Sequence, residues 1–594
     1  MDNRRSILLL VFFFSLFMLW DAWQKYNQPK LDTVANAQSL ERPAIPQPLF
    51  NLKGSGVFAT KEVQSVAPVR TSAAVVNVKT DLYSVDISSL GGDITQLELN
   101  AYKSIVDKTK NFSLFEAKHH YLAQSGFTDA GLPNHKTVFS VVPGQRDFSE
   151  LDKEAKTLEL RLIAPAVDGV QVEKIYTFTR GSYLIDVAYE INNGGEKTLT
   201  PYAYFQLQRD DKAPDGENML VSTFTGAAVY TEQDKYKKIK LSDFSDKEKN
   251  CTANTILPNP AKAEKVVFSA QADNGFLAMV QHYFVAAWLP KLKTPREYYV
   301  RTVDDSRLCS PEGELSSVYS AGVIVPTGQI AAGAKTKFSM PLYAGPQIQS
   351  VLEHLAQPSA EGGLDAKGLP LVVDYGWLTI VAAPIFWCLE AIHKLIGNWG
   401  WAIVLLTIAI KAIFYPLSAA SYKSMAKMRQ LTPRLIALKE RHANDRPKLH
   451  QEMMEIYKRE KINPLGGCLP MLVQIPVFVA LYWALLGAVE MRDAPWLLWI
   501  KDLSSPDPFY VLPVLMVITM LIQTKLNPTP PDPIQAKVMM MMPFIFGGMF
   551  FFFPAGLVIY WVVNNILSIA QQWQITRVIE GAGASGKAAN DPRH

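Results

Sequence analysis

Five apolar stretches in the C-terminal part of this 594-residue chain contain no Asp or Glu at all. Any cation inside them therefore lacks a resident anion. Cysteine is equally scarce: there are four, none in a C-x-x-C pair and none clustered with His, which excludes zinc and iron–sulfur centres. No metal or cofactor is expected. Neither G-x-S-x-G nor H-E-x-x-H occurs, so two hydrolase signatures are missing. A net charge of +4 is too small for this length to argue nucleic-acid binding. Long apolar runs are absent from the middle of the chain and confined to its two ends, which excludes a single soluble globule.

At the N-terminus Arg4 and Arg5 precede an apolar run from Ile7 to Trp20. Ala35 and Ala37 form an A-x-A pattern, but it lies too far beyond the run for signal-peptide cleavage. Residues 1–27 therefore read as an uncleaved anchor that starts in the cytoplasm. Residues 28–66, rich in Pro, Gln, Ala and Ser, read as a flexible tether. Over 67–356 short runs alternate apolar and polar residues, at 74–78, 83–90, 158–163, 170–178, 183–191 and 202–207. Turns at Gly91-Gly92-Asp93 and Asn193-Gly194-Gly195 separate them. The expectation is an exported all-β domain, a large sandwich. Cys251 and Cys309 lie in it, where a disulfide is chemically allowed. His119, His120, His135 and His282 lack ligand spacing and read as surface or packing residues.

A Pro- and Gly-containing linker, 357–374, leads to the membrane block. Spans are expected at 398–416, 465–489, 508–525, 538–553 and 556–576, against a bilayer core of about 30 Å. Between the first two lies a hairpin, 417–464, with eleven Lys and Arg against five Asp and Glu. The loop 490–507 has two against four. The positive-inside rule thus puts the hairpin in the cytoplasm and that loop outside. It follows that 375–397 lies along the outer interface, a position suited to its tryptophans, Pro384 and the Glu390, His393, Lys394 cluster. The whole is a polytopic α-helical membrane protein of six spans, with both ends inside, residues 24–397 on the outer side, and 577–594 as a cytoplasmic tail.

Apolar residues recur every three or four positions from Tyr422 to Leu438 and again from Leu449 to Ile456, which predicts two antiparallel helices. Their cations include Lys423, Lys427, Arg429, Arg434, Lys439 and Arg441. These form either a solvated face or a docking surface for an anionic partner.

Polar residues inside the spans share one depth. Lys411 lies about 20 Å into its span, with Thr407 one turn above. Thr519 and Gln523 repeat that spacing, and Tyr560, Asn564, Ser568 and Gln572 form a stripe at i, i+4 steps. Gln474 sits near the midplane. Two readings stand: a wet concavity open toward the cytoplasm, or interhelical hydrogen bonds with a snorkelling lysine. Met539 to Met542 and Phe550 to Phe553 add soft apolar surface suited to varied partners.

Several segments resemble the YidC/Oxa/Alb family of membrane protein insertases in its Gram-negative form: AIKAIFYPLS from Ala409, SMAKMRQLTP from Ser424, NPLGGCLPMLVQIPVF from Asn463 and FPAGLVIYWVVNN from Phe553. VKTDLYSVDISSLGGDITQLEL from Val78 is similar to that form's periplasmic β-sandwich. The resemblance implies a five-helix insertase core in the bacterial inner membrane, whose hydrophilic groove opens to cytoplasm and lipid. Its lining would be Lys411, Thr407, Gln474, Thr519, Gln523, Tyr560, Trp561, Asn564, Ser568 and Gln572. Met471, Phe478, Met540 and Phe544 would form an apolar slide for clients. Implied partners are nascent membrane proteins, the Sec translocon (SecYEG, SecDF), ribosome and signal-recognition machinery at the hairpin, and membrane lipids. The family usually has Arg at the position of Lys411 and often Tyr-Tyr at Tyr560-Trp561. Lysine keeps the charge without the planar fork. A solute transporter would need repeated spans, and none is visible. A sugar epimerase in the sandwich would rest on likeness of fold alone.

Overall fold

The computed structural model describes residues 74–588, apart from 130, 144–154, 215–222, 245–255, 258–265, 292, 304–306, 310–314, 443–444, 461–468 and 528–532. The expected anchor, the tether and the Cys251–Cys309 pairing lie outside the described residues and side chains.

Alternation of apolar and polar residues builds two antiparallel sheets of nine described strands each. One runs Val75–Lys79, Tyr83–Ser88, Ile94–Lys103, Leu122–Phe127, Tyr202–Asp210, Val318–Pro326, Arg296–Thr302, Val266–Ala272, with Asn111–Phe115 beside Ile94–Lys103. The other runs Lys235–Ile239, Gly226–Thr231, Phe276–Gln281, Phe284–Trp288, Lys335–Pro346, Leu184–Asn193, Val170–Thr179, Thr157–Ile163, Ser140–Val141. Their inner faces interlock: Ala203, Phe205 and Leu207 of the first meet Val187, Tyr189 and Leu342 of the second in one buried core. Lys174 is fully buried there, and Asp93 at 3.4 Å compensates its charge while Gly91 O accepts at 3.0 Å. Gly91 makes this turn possible, because its φ is +73° and a Cβ would fall 2.5 Å from Asp93 Oδ2.

Helix α1 (Gln349–Ala356) follows the last strand. Within the expected linker 357–374, Leu369 and Val372 are buried with Ala228 and Phe276 of the second sheet. The helical part comprises α2 (Thr379–Ile396), α3 (Trp399–Ile413), α4 (Tyr415–Arg441), α5 (Arg446–Arg459), α6 (Leu469–Gly487), α7 (Val511–Leu526), α8 (Pro533–Phe550) and α9 (Ala555–Ala588). Between α3 and α4 the axis turns by 67°. The break falls at Phe414, and Pro416 in the first turn of α4 contributes to it because it has no N–H with which to continue the hydrogen-bond ladder of α3. Pro554 likewise keeps Phe551 to Phe553 out of α8.

Helix ends differ from the expected spans. Instead of stopping at residue 576, α9 continues to Ala588, about 50 Å in all. In the other direction, α8 starts five residues before Val538. Among the described helices, Thr379–Ile396 alone is by itself long and apolar enough to cross a membrane. The bent pair Trp399–Ile413 and Tyr415–Met428 passes together, and Gln474–Gly487, Val511–Leu526 and Ala536–Phe550 are shorter apolar helices. In the α4–α5 pair Leu431 and Leu435 pack with Met453, Ile456 and Tyr457, and Asp445 caps α5 by accepting from Lys448 N at 3.2 Å.

The loop between α6 and α7 joins the β domain to the helices. Arg492 is buried, with its guanidinium 5.1 Å from the Phe112 ring, 5.2 Å from Phe284 and 5.8 Å from Tyr283, and it donates to Lys103 O. Lys108 reaches Asp493 at 3.0 Å and Asp502 at 3.5 Å. Burial pushes His282 down to about 4, so it is neutral at pH 7 as its Nε2 meets Leu486 O at 2.9 Å. The same loop caps the core: Asp507 accepts from Leu512 N at 2.8 Å, and Leu503 O and Ser505 O accept from Gly556 N and Ala555 N.

Arg492→Ala removes the cation from three aromatic faces and costs about 2–4 kcal/mol. The expected readout is faster amide exchange across residues 100–103 in the intact protein; exchange at the wild-type rate would contradict this account of the junction.

Candidate functional site

The polar stripe on α9 is the place where the helices meet. Residues four apart lie on one helix face, so Tyr560, Asn564, Ser568 and Gln572 present a column of dipoles, all of them buried. A buried dipole needs a partner, and the neighbouring helices supply them. From α3, Lys411 Nζ donates to Ser568 Oγ at 2.7 Å, and Ser568 in turn donates to Asn564 O at 2.7 Å. From α6, Gln474 Nε2 donates to Asn564 Oδ1 and to Tyr560 OH at 3.4 Å. Lower down, Gln572 Nε2 donates to Leu526 O and Asn527 Oδ1, both at 3.1 Å.

Lys411 is only 8% exposed, and among the described residues no carboxylate forms an ion pair with it. A neutral hydroxyl satisfies one of its donors and leaves its charge uncompensated. The arrangement thus holds a desolvated cation in a layer otherwise furnished with uncharged donors and acceptors.

Other expected residues fall into different settings. Thr407 is buried but donates to Ile403 O of its own helix at 2.7 Å. Thr519 donates to Met516 O at 2.9 Å and accepts from Asn565 Nδ2 at 3.3 Å. Gln523 is half-buried and takes no part in these bonds. Trp561 turns away from the stripe: its ring lies 4.5 Å from Phe478 and 5.4 Å from Phe550, in an aromatic cluster rather than among polar groups. Met540 and Phe544 are 64% and 60% exposed on α8, whereas Phe478 is half-buried. The side chains of Met471 and Arg429 lie outside the described ones. Lys423, Lys427, Arg434, Lys439 and Arg441 are exposed, and Arg434 comes within 3.7 Å of Glu460.

Asn565 belongs to the network although periodicity does not select it. The adjacent Asn564-Asn565 pair was the available signal, because neighbouring polar residues point about 100° apart and can bind two different helices. Asn565→Leu is expected to loosen the α7–α9 contact and cost about 0.5–2 kcal/mol, measured as a lower midpoint for unfolding in detergent; Asn565→Gln should recover part of it.

Comparison with known proteins matches residues 391–582 to the 60Kd inner membrane protein family and residues 75–388 to the YidC periplasmic domain. The membrane protein insertase YidC of Dechloromonas aromatica is 58% identical over 594 residues, covering 100% of both chains. That of Aromatoleum aromaticum is 51% identical, covering 99% of this chain and 100% of its own. A crystal structure of an active YidC insertase aligns with 84% of this chain and 93% of that one, at 18% identity and a TM-score of 0.38, too low to bear on the fold. With identity sustained from end to end and both domains matched, the chain belongs to the YidC family, inner-membrane insertases of membrane proteins with a periplasmic domain of antiparallel sheets.

Proposed function

We propose that this insertase works by offering the Lys411 ammonium to the polar or acidic N-terminal segment of a client membrane protein. The observation that carries the reading is a buried lysine held by a serine hydroxyl with no carboxylate paired to it among the described residues. An incoming carboxylate outcompetes that hydroxyl, since a charge-assisted pair is stronger than a bond to a neutral acceptor. Meanwhile the client's apolar segment leaves sideways past α6 and the exposed Met540 and Phe544 of α8 into lipid. Transfer of that segment supplies the driving force, about 0.8 kcal/mol per buried CH₂. Moving a negative tail outward gains about 2.3 kcal/mol per charge for each 100 mV of membrane potential. No covalent bond is made or broken.

In this reading the chain crosses the membrane six times, with both ends and the α4–α5 hairpin in the cytoplasm and residues 24–397 in the periplasm. Support comes from the excess of six positive charges over 417–464 and the acidic 490–507 loop. Helix α2 lies in the outer interface, where the Glu390–Lys394 pair and exposed Trp387 are at home. Lys423, Lys427, Arg434, Lys439 and Arg441 on the exposed hairpin surface suit ribosomal RNA, signal-recognition machinery and acidic headgroups. The apolar face of α8 suits the Sec translocon (SecYEG, SecDF), and the groove suits nascent chains, as chaperone as well as insertase.

Lys411→Glu should slow insertion of a client with an acidic tail at least tenfold in proteoliposomes, whereas Lys411→Arg retains it. A client with a neutral tail should be affected far less. Equal insertion of the acidic client by Lys411→Glu and wild type would remove the electrostatic step.

A further inference from the structure

The loop between α6 and α7 carries an apolar tip, Trp496-Leu497-Leu498-Trp499, on the side of the core where α3 and α7 begin. A tight turn forms it: Ile500 N donates to Leu497 O at 3.0 Å, and Leu498 takes a φ of +53°, a left-handed backbone that glycine adopts freely and leucine seldom does. Both flanks of the turn are fixed. Ala494, Ile500 and Leu503 are buried in the helical core, Asn398 Nδ2 donates to Pro495 O at 3.1 Å, and Trp499 Nε1 donates to Asp507 Oδ1 at 2.9 Å. Trp496 lies so close on Gly400 that a Cβ there would fall 2.2 Å from its ring. Leu497 and Leu498 are thereby held outward, and Leu498 is 76% exposed.

Gly400 is the second residue of α3, so this contact sets the tip level with the first turn of that helix. From Trp401, whose ring meets Trp496 edge-on at 5.8 Å, exposed Leu405 and Ile408 continue along one face of α3. Exposed Val514, Ile518 and Ile522 do the same on α7 below Tyr510, and Phe509 meets Trp499 edge-on at 6.2 Å. Leu497, Leu498, Phe509, Tyr510 and Trp401 thus form an apolar belt across the heads of two exposed apolar stripes. A single exposed leucine is ordinary, whereas a continuous belt marks a surface that is covered.

We infer that this tip is an outer-leaflet wedge: Leu497 and Leu498 enter the acyl region of the bilayer between α3 and α7, with Trp496 and Trp499 at headgroup level. Tryptophan favours that boundary, since its ring is apolar and its N–H is not. In water the exposed leucines gain nothing that offsets the left-handed backbone at 498; in lipid their burial does. Lipid is the occupant because the belt continues the stripes by which α3 and α7 face acyl chains, and because residues 495–500 carry no charge for a protein partner to read. Lys501 follows at once and is exposed, which places the water boundary there. The wedge rests on the outward orientation of this loop in the reading above. It adds a third attachment to a segment that already holds Arg492 in the β domain and caps α7 and α9, so bilayer, sandwich and helical core are tied at one loop.

The test uses the full chain with its native cysteines replaced, reconstituted in phosphatidylethanolamine–phosphatidylglycerol vesicles, with a fluorophore attached at Leu497→Cys or at Lys501→Cys. Lipids carrying a nitroxide near the top of the acyl chain should quench the probe at 497 about fivefold more than the probe at 501. An aqueous quencher on the side bearing the β domain should show the reverse order. Leu498→Asp should cut lipid quenching at 497 about fivefold. If that variant fails to fold, Leu498→Gly keeps the turn, because glycine takes its φ without strain, and should still cut the quenching about twofold. Aqueous quenching at 497 equal to that at 501, lipid quenching untouched by Leu498→Gly, or shielding of 497 from lipid and water alike, as a second protein chain would give, would each overturn the wedge while leaving the orientation standing. Quenching at 501 only from the opposite side would instead overturn the orientation proposed above, and with it the leaflet assigned here.

Discussion

A lysine ammonium packed among apolar helices, with no carboxylate among the described residues to neutralise it, is the constraint around which the helical core is arranged. Removing a charge from water costs several kcal/mol unless hydrogen bonds replace the lost hydration. Here the replacement is a hydroxyl on α9, itself anchored to the backbone one turn earlier, so the cation is held without being discharged. The other helices reach the same α9 surface with amides and hydroxyls. Each bond of this kind is worth about 0.6 kcal/mol in a membrane. Such bonds hold the helices together at a modest energy each.

The β domain and the helical core meet through one loop that serves both. Arg492 reaches into the aromatic edge of the sandwich, while Asp507, Leu503 and Ser505 complete the ends of α7 and α9. A helix end buried without partners would be costly. The loop therefore closes the core on the β-domain side, opposite a cavity that α4, α7 and α9 line near the hairpin. Closure at one end and space at the other give the helical core a direction.

Charge and shape are divided along α9. At Ser568 the lining is cationic and tight; one turn on, at Gln572, it is neutral and roomy.

Much of this was legible in the chain itself. Period-two alternation announced the sandwich strands, as at Thr157–Ile163 and Val170–Thr179, because the pleat sends successive side chains to opposite faces. The four-residue spacing of Tyr560, Asn564, Ser568 and Gln572 announced a shared face, because a helix repeats every 3.6 residues. Both are local rules, readable without knowing what lies across the gap. What the stripe faces, which way Trp561 turns and what holds Arg492 were decided in three dimensions. Lys411 and Ser568 are 157 residues apart, and Arg492 and Lys103 are 389 apart. No periodicity links such pairs, since their contact exists only once the helices and sheets have packed. The chain alone determined that a cation without a resident anion would lie among apolar helices; the packing decided that a serine would hold it, and that the space beside it would be neutral.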